Sequence, residues 1–215
     1  MGLKTAKPFL LLEGVPMIAR TIDIFQRCRA VKMIQPVLPR RDLERFRRGI
    51  LKKHGWSKCR PAVAGGRERQ DSIARGLGQI PEDIEIVMIH DAARPLVTTT
   101  LVNAVLRAAE SDGAALAVVP VQDTVKKSST GSFVERTVER RGLWLAQTPQ
   151  AFRAGLLREA YLRARDTGHR GTDDASLVEA IGHPVRLVTG SVLNLKITTP
   201  GDLALVRGIL RRADS

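Results

Sequence analysis

Ile84-Glu85-Ile86-Val87-Met88-Ile89 is a nearly continuous apolar run, and it is followed at once by His90-Asp91-Ala92-Ala93-Arg94-Pro95. An apolar run of this length reads as a strand buried on both faces, as in the parallel layer of an α/β fold. The six residues after it carry a carboxylate, a guanidinium and a proline at the strand's carboxyl end. Ligands of open α/β sheets bind at such ends. Asp91 there can hold a metal or a sugar hydroxyl, and Arg94 can grip a phosphate bidentately. The same residues also suit a plain strand-ending turn closed by an ion pair.

Outward from this run, helical and extended patterns alternate as βαβ units require. Upstream, Pro16–Arg27 reads as a helix with Ile18, Ile22, Ile24 and Phe25 inward, and Val31–Leu38 as a strand closed by Pro39. A basic amphipathic helix then runs to about His54. Pro61–Ala64 is a short strand, Gly65-Gly66 a turn and Arg69–Leu77 a helix. Downstream come a helix over Thr98–Ala109 and a second buried strand, Ala114–Val121. From Gln122 to Gln150 the chain is polar and broken, with Ser128-Ser129-Thr130-Gly131 as a hairpin-like turn; this stretch reads as an arm leaving the sheet. Helices over Leu156–Arg165 and Asp174–Ala180, strands over Val185–Val188 and Leu193–Ile197, and a helix from Pro200 complete the pattern. The expectation is a single α/β domain over residues 1–215, Rossmann-like and doubly wound, with a mostly parallel sheet and a projecting arm at 122–150.

Composition narrows the function classes. The two cysteines, Cys28 and Cys59, make neither a disulfide framework nor a metal spacing, which suits a reducing cytoplasm. Lys4 and Lys7 precede the apolar run Phe9–Leu12, but that run is too short for a signal peptide and Glu13 ends it. Met1-Gly2 lacks the myristoylation pattern because Ala6 stands where Ser or Thr is required. No stretch approaches the roughly 20 apolar residues of a membrane span. The net charge of +13 admits two explanations, a nucleic-acid partner or polyanionic small substrates. The basic residues are spread over helical faces such as Arg40–Lys53, and aromatics are only 4% of the chain, poor material for stacking bases. Nucleic acid is therefore not the expected partner.

Other candidate residues are weaker alone. Gly65-Gly66 before a helix lets backbone approach a ligand at an anion-favouring helix start, or is an ordinary glycine turn. Lys7 and Lys196 are point charges suited to phosphate. Thr172-Asp173-Asp174 reads as a helix N-cap. His54, His90, His169 and His183 lack ligand spacing, so no protein metal cage is expected.

Eight segments in order carry a resemblance. They are Lys7-Pro8-Phe9, Gly65-Gly66 with Arg69 and Ser72, His90–Pro95, Asp123-Thr124-Val125-Lys126, Gly142-Leu143-Trp144, Gln147-Thr148-Pro149-Gln150, Thr172-Asp173-Asp174-Ala175, and Asn194-Leu195-Lys196-Ile197-Thr198. Over essentially its whole length the chain resembles the 2-C-methyl-D-erythritol 4-phosphate cytidylyltransferases, CTP-using enzymes of the non-mevalonate isoprenoid pathway. The resemblance implies roles by position. Lys7 stabilises charge on the α-phosphate of CTP. Gly65, Gly66 and Ser72 form the cytosine-binding turn, and Ala92 packs the ribose. Asp91, Arg94, Thr148 and Lys196 hold the methylerythritol phosphate. Thr124 and Arg140 reach from the arm into the partner's site in a homodimer, and Mg²⁺ offsets the phosphate charge. Arg140 and Lys196 count with Lys7 as the catalytic cations. The family's first strand and its Ala-Ala-Gly-x-Gly-x-Arg loop have no counterpart in these 215 residues, and the expectation is that in-frame codons upstream of Met1 encode them. Three alternatives stay open: the sibling ribitol-5-phosphate cytidylyltransferase, a catalytically dead nucleotide-binding dimer, and a basic nucleic-acid-binding module.

Overall fold

The computed structural model describes residues 6–213; Met1, Gly2 and Lys4, weighed above for targeting, lie outside them. A 3₁₀ turn at Lys7–Phe9 leads into a small antiparallel pair, β1 (Leu11–Leu12) and β2 (Val15–Pro16), and then α1 (Met17–Arg27). β3 (Val37–Leu38) pairs in parallel with β4 (Val63–Ala64). Between them the basic segment is an irregular spiral: a 3₁₀ turn at Arg40–Asp42, α2 (Leu43–Phe46), a π-helical stretch at Arg47–Leu51 and α3 (Lys52–His54). Next come α4 (Arg69–Leu77), β5 (Ile86–Ile89), α5 (Thr99–Asp112) and β6 (Ala114–Pro120). A hairpin of β7 (Val125–Lys127) and β8 (Arg136–Val138) precedes β9 (Trp144–Arg153), α6 (Ala154–Thr167), α7 (Asp174–Ala180), β10 (Arg186–Thr189) and α8 (Pro200–Ala213).

The α/β, Rossmann-like expectation holds, but the sheet, expected mostly parallel, is mixed, and β5 itself pairs antiparallel because the polar β9 inserts beside it. The central sheet has the order β10-β6-β9-β5, with β10 parallel to β6 and β9 antiparallel to both β6 and β5. The expected arm is therefore shorter than 122–150, because Trp144 onward belongs to the sheet. Its polar residues disguised it. Gln147, Thr148 and Gln150 are buried, and each is hydrogen-bonded, as buried polar groups must be. Gln150 accepts from the Ala175 amide (3.0 Å) and donates to Asp173 Oδ2 (2.8 Å).

Two other expected strands differ. Val31–Leu38 shrinks to Val37–Leu38 plus an isolated bridge between Ile34 and Cys59. Pro36, lacking an N–H, stops the ladder from extending back. Leu193–Ile197 is not a strand, because the Asn194 amide turns back on Ser191 O at 3.0 Å, leaving one sheet-like bond, Ile197 N–H to Ala93 O at 2.8 Å.

β6 alternates its contacts with period two. Ala115 and Ala117 face a cluster with Val102, Val105 and Ala109 of α5. Leu116 and Val118 face Leu157, Tyr161 and Val178 of α6 and α7. Small alanines admit α5 closely, while the larger residues fill the opposite layer. Burying each large side chain contributes about 1.5–3 kcal/mol. An exposed ion pair such as Arg165–Asp166 contributes about 0.2–1 kcal/mol, so the core decides the fold. The same logic shapes the basic spiral: Phe46 and Ile50 are buried while Arg40, Arg41, Arg45, Arg47, Arg48, Lys52 and Lys53 are exposed. Among the described residues the outer edge of β5 has no strand neighbour, and an apolar groove of about 690 Å³ separates it from β3, lined by Ile22, Phe25, Val37, Ile86 and Met88. No described helix is long and apolar enough to cross a membrane.

Candidate active site

The site is assembled at the carboxyl end of β5. The His90 ring packs 5.0 Å from the Phe25 ring and bonds at both nitrogens. Nε2 lies 3.1 Å from Arg94 O, a carbonyl that can only accept, so Nε2 carries the proton. Nδ1, 3.1 Å from Thr148 Oγ1, must then accept from that hydroxyl. The hydroxyl in turn accepts from the Asp91 amide at 3.0 Å. One neutral imidazole thus fixes the turn Asp91–Arg94 and the rotamer of Thr148. Burial, opposed by the Arg94 carbonyl, pushes the imidazole pKa down to about 4.

The other wall is the loop Ser191–Ile197. Asn194, 1% exposed, donates to Gln147 Oε1 (3.1 Å) and Thr148 O (2.9 Å), and its carbonyl accepts from Arg94 Nη1 (2.7 Å). Arg94 Nε and Asn194 Oδ1 are buried without a protein partner. Each unmet group costs about 1–3 kcal/mol, a cost concentrated at this end of the sheet.

Charge converges on Asp91. Lys196 Nζ is 2.7 Å from its Oδ2 and Arg69 Nε is 3.6 Å from its Oδ1. Burial would raise the Asp91 pKa, but the Lys196 hydrogen bond and the charges of Lys196 and Arg69 outweigh it, and the carboxyl titrates below its ordinary value. Lys7 arrives from the 3₁₀ turn at Lys7–Phe9. Its ammonium is held below the usual lysine range by burial and then by the charge of Lys196, with Asp91 and Asp202 opposing. An ammonium depressed by a neighbouring positive charge marks a place where an anion would relieve it.

The glycine turn lies beside this cluster. The Gly66 amide donates to Ser72 Oγ at 3.0 Å, and that hydroxyl donates to Glu68 O at 2.9 Å. A Cβ on Gly66 would collide with Asp71, and one on Gly65 would stand 2.7 Å from Ser72 Oγ, so no other residue fits this close return of the chain. Ala92 carries its carbonyl to Thr21 Oγ1 at 3.0 Å, tying the turn to α1.

Of the residues expected from sequence, the structure brings together Lys7, Asp91, Ala92, Arg94, Thr148 and Lys196, with Gly65, Gly66 and Ser72 at the start of α4 joined through Arg69. Thr124 and Arg140 stand apart and are exposed; Arg140 donates to Gln122 O at the base of the hairpin. Sequence reasoning missed His90, Asn194 and Asp174 as contributors, although each lies within a quoted segment. Among the described residues no group of three His, Cys, Asp or Glu side chains could hold a metal ion.

The family model for 2-C-methyl-D-erythritol 4-phosphate cytidylyltransferase matches residues 1–212. The chain belongs to this cytidylyltransferase family. It is 44% identical over 208 residues to the 2-C-methyl-D-erythritol 4-phosphate cytidylyltransferase of Syntrophus aciditrophicus, covering 97% of this chain and 89% of that protein. Among solved structures it is similar to the cytidylyltransferase of Thermus thermophilus, with 38% identity, a TM-score of 0.81, and coverage of 95% of this chain and 93% of that one. It is also similar to the 4-diphosphocytidyl-2C-methyl-D-erythritol synthase of Anaerococcus prevotii, with 28% identity, a TM-score of 0.87, and coverage of 96% and 91%. As a member of the cytidylyltransferase family, the chain is a nucleotidyltransferase.

Proposed function

We propose that the chain joins CTP and 2-C-methyl-D-erythritol 4-phosphate, giving 4-diphosphocytidyl-2-C-methyl-D-erythritol and pyrophosphate. The observation that carries this reading is the ion pair of Lys196 with Asp91 at the carboxyl end of a sheet strand, with the Lys7 ammonium close enough to feel the charge of both. A phosphate oxygen of the acceptor attacks the α-phosphorus of CTP in line. The bond from that phosphorus to the bridging oxygen breaks, and pyrophosphate leaves with the electron pair. Positioning and charge neutralisation supply most of the catalysis in such a transfer.

In this reading Lys7 balances charge on the α-phosphate. Lys196 and Arg94 hold the acceptor phosphate, while Asp91 and Thr148 take its hydroxyls. Gly65, Gly66 and Ser72 read the cytosine, and Ala92 packs the ribose. Thr124 and Arg140, remote from their own site, act on the site of a second subunit in a homodimer. Mg²⁺ would be carried by the phosphates of the nucleotide and by water. No step is assigned to a protein-bound metal. The two buried free thiols, Cys28 and Cys59, suit work in a reducing cytoplasm.

The test is pyrophosphate release with Mg²⁺ and each nucleoside triphosphate, using methylerythritol phosphate or ribitol 5-phosphate as acceptor. CTP with methylerythritol phosphate is expected to give the highest kcat/KM. A higher value with ribitol 5-phosphate reassigns the acceptor, and no release with any pair removes the catalytic reading.

A further inference from the structure

A second carboxylate lies behind the site. Asp174 is 0% exposed, yet it is the first residue of α7 and takes no part in that helix's cap, which Asp173 and Ser176 supply. Its two oxygens are taken by two donors: Tyr161 Oη at 2.5 Å and Arg69 Nη2 at 2.6 Å. Burial holds the Asp174 pKa above its ordinary value, against the Arg69 charge and both hydrogen bonds. Among the described residues, Arg69 is the cation that pairs with Asp174.

Nε and Nη2 form one edge of the Arg69 guanidinium. That edge is divided between two carboxylates, Nη2 to Asp174 and Nε to Asp91 at 3.6 Å. Of the two, the Asp174 contact is the short one and the Asp91 contact the long one. The close partner of Asp91 is Lys196, at 2.7 Å.

We infer that Asp174 and Tyr161 are positioning residues of the acceptor site, acting through Arg69. They hold the guanidinium back so that Asp91 stays shared with Lys196 and available to the acceptor's hydroxyls. The inference rests on the reading of Asp91 and Lys196 as acceptor residues. Asp174→Asn replaces an acceptor by an amide. In either orientation the amide can still bond one or both neighbours, but the negative charge that held Arg69 is gone, and the guanidinium swings onto Asp91 with its whole edge. Asp91 is then occupied bidentately and Lys196 loses its close partner.

Two measurements test this on the full chain. In steady-state assays Asp174→Asn should raise KM for the acceptor about tenfold, the effect of one weakened hydrogen bond to a charged group. KM for CTP and kcat should move little. Tyr161→Phe should give a smaller rise of the same kind. The second readout needs no turnover. Trace acetylation with acetic anhydride at fixed pH, read by peptide mass spectrometry, reports how free the Lys196 amine is, with other lysines as internal standards. Asp174→Asn should speed acetylation of Lys196 severalfold. In an Arg69→Gln background the same exchange should change nothing further, because Arg69 transmits the effect. A folded Asp174→Asn protein with unchanged Lys196 reactivity overturns the inference, as does an equal change in both backgrounds. If the unaltered chain shows no turnover, the proposed reaction fails, and the acetylation arms still decide whether Asp174 works through Arg69.

Discussion

Two of the segments that carry residues proposed to act on substrate are built in opposite ways. The turn His90–Pro95 is bonded from every side. His90 holds Thr148 and the Arg94 carbonyl, Asn194 holds Arg94, and Arg69 and Lys196 share Asp91. The hairpin of β7 and β8 is bonded mainly to itself, through contacts such as Lys126 Nζ to Thr137 Oγ1 at 2.7 Å, and Phe133 near its tip is 82% exposed. The first loop's geometry is determined within the chain. The second presents Thr124 and Arg140 with nothing of its own to act on. A residue in the first can be understood from one subunit; in the proposed homodimer a residue in the second acts on the other.

The largest expected effect tests that contrast directly. Lys7→Ala and Arg140→Ala should each lower kcat/KM by about 10²–10³-fold, the usual loss of one charge-stabilising group. Unfolding, mixing and refolding the two variants together should then restore activity. Random pairing makes about half of the dimers mixed, and each mixed dimer has one intact site of two, so about a quarter of the original activity returns. No recovery, with mixed dimers confirmed by native mass spectrometry, places Arg140 in its own subunit's site and erases the distinction.

The second prediction concerns the inner loop's neutral imidazole. The His90 pKa is about 4 in the fold, against about 6.5 when unfolded. Between these values the unfolded chain binds the extra proton. The contribution is therefore full above pH 6.5 and is lost as pH falls towards 4. By pH 5 the loss is about 2 kcal/mol. Urea unfolding of wild type and His90→Gln at pH 7.5 and pH 5 should show the gap between them narrowing by that amount. A constant gap means that the imidazole titrates in the fold as it does in the unfolded chain.

The smallest effect belongs to the hairpin. Phe133→Ser should change the unfolding free energy at low protein concentration by less than about 0.5 kcal/mol, because the side chain packs on little within its own chain. A larger loss would show that the hairpin is held within the subunit after all.

The same contrast explains what could be read from the sequence. Helices α4 and α7 fall on their expected residues, because each has a polar start and an apolar stripe within a short window. The site's turn was legible because it follows an apolar strand. β9 was not, since its buried Gln147, Thr148 and Gln150 look like surface until their partners on distant segments are known. Asp174 was hidden similarly. Beside a good N-cap it reads as part of the cap, and only the fold brings Arg69 and Tyr161, 105 and 13 residues away, to its two oxygens.

The place of β9 between β5 and β6 has a consequence for how the chain is made. Those two strands cannot join one sheet until Trp144–Arg153 has left the ribosome. At about 5–20 residues per second, the stretch from Pro120 to Arg153 takes roughly two to seven seconds to synthesise. Throughout that interval two strongly apolar strands, finished but unpaired, have edges open to any neighbouring chain. The nascent protein is most vulnerable in the seconds before the strand that separates them arrives.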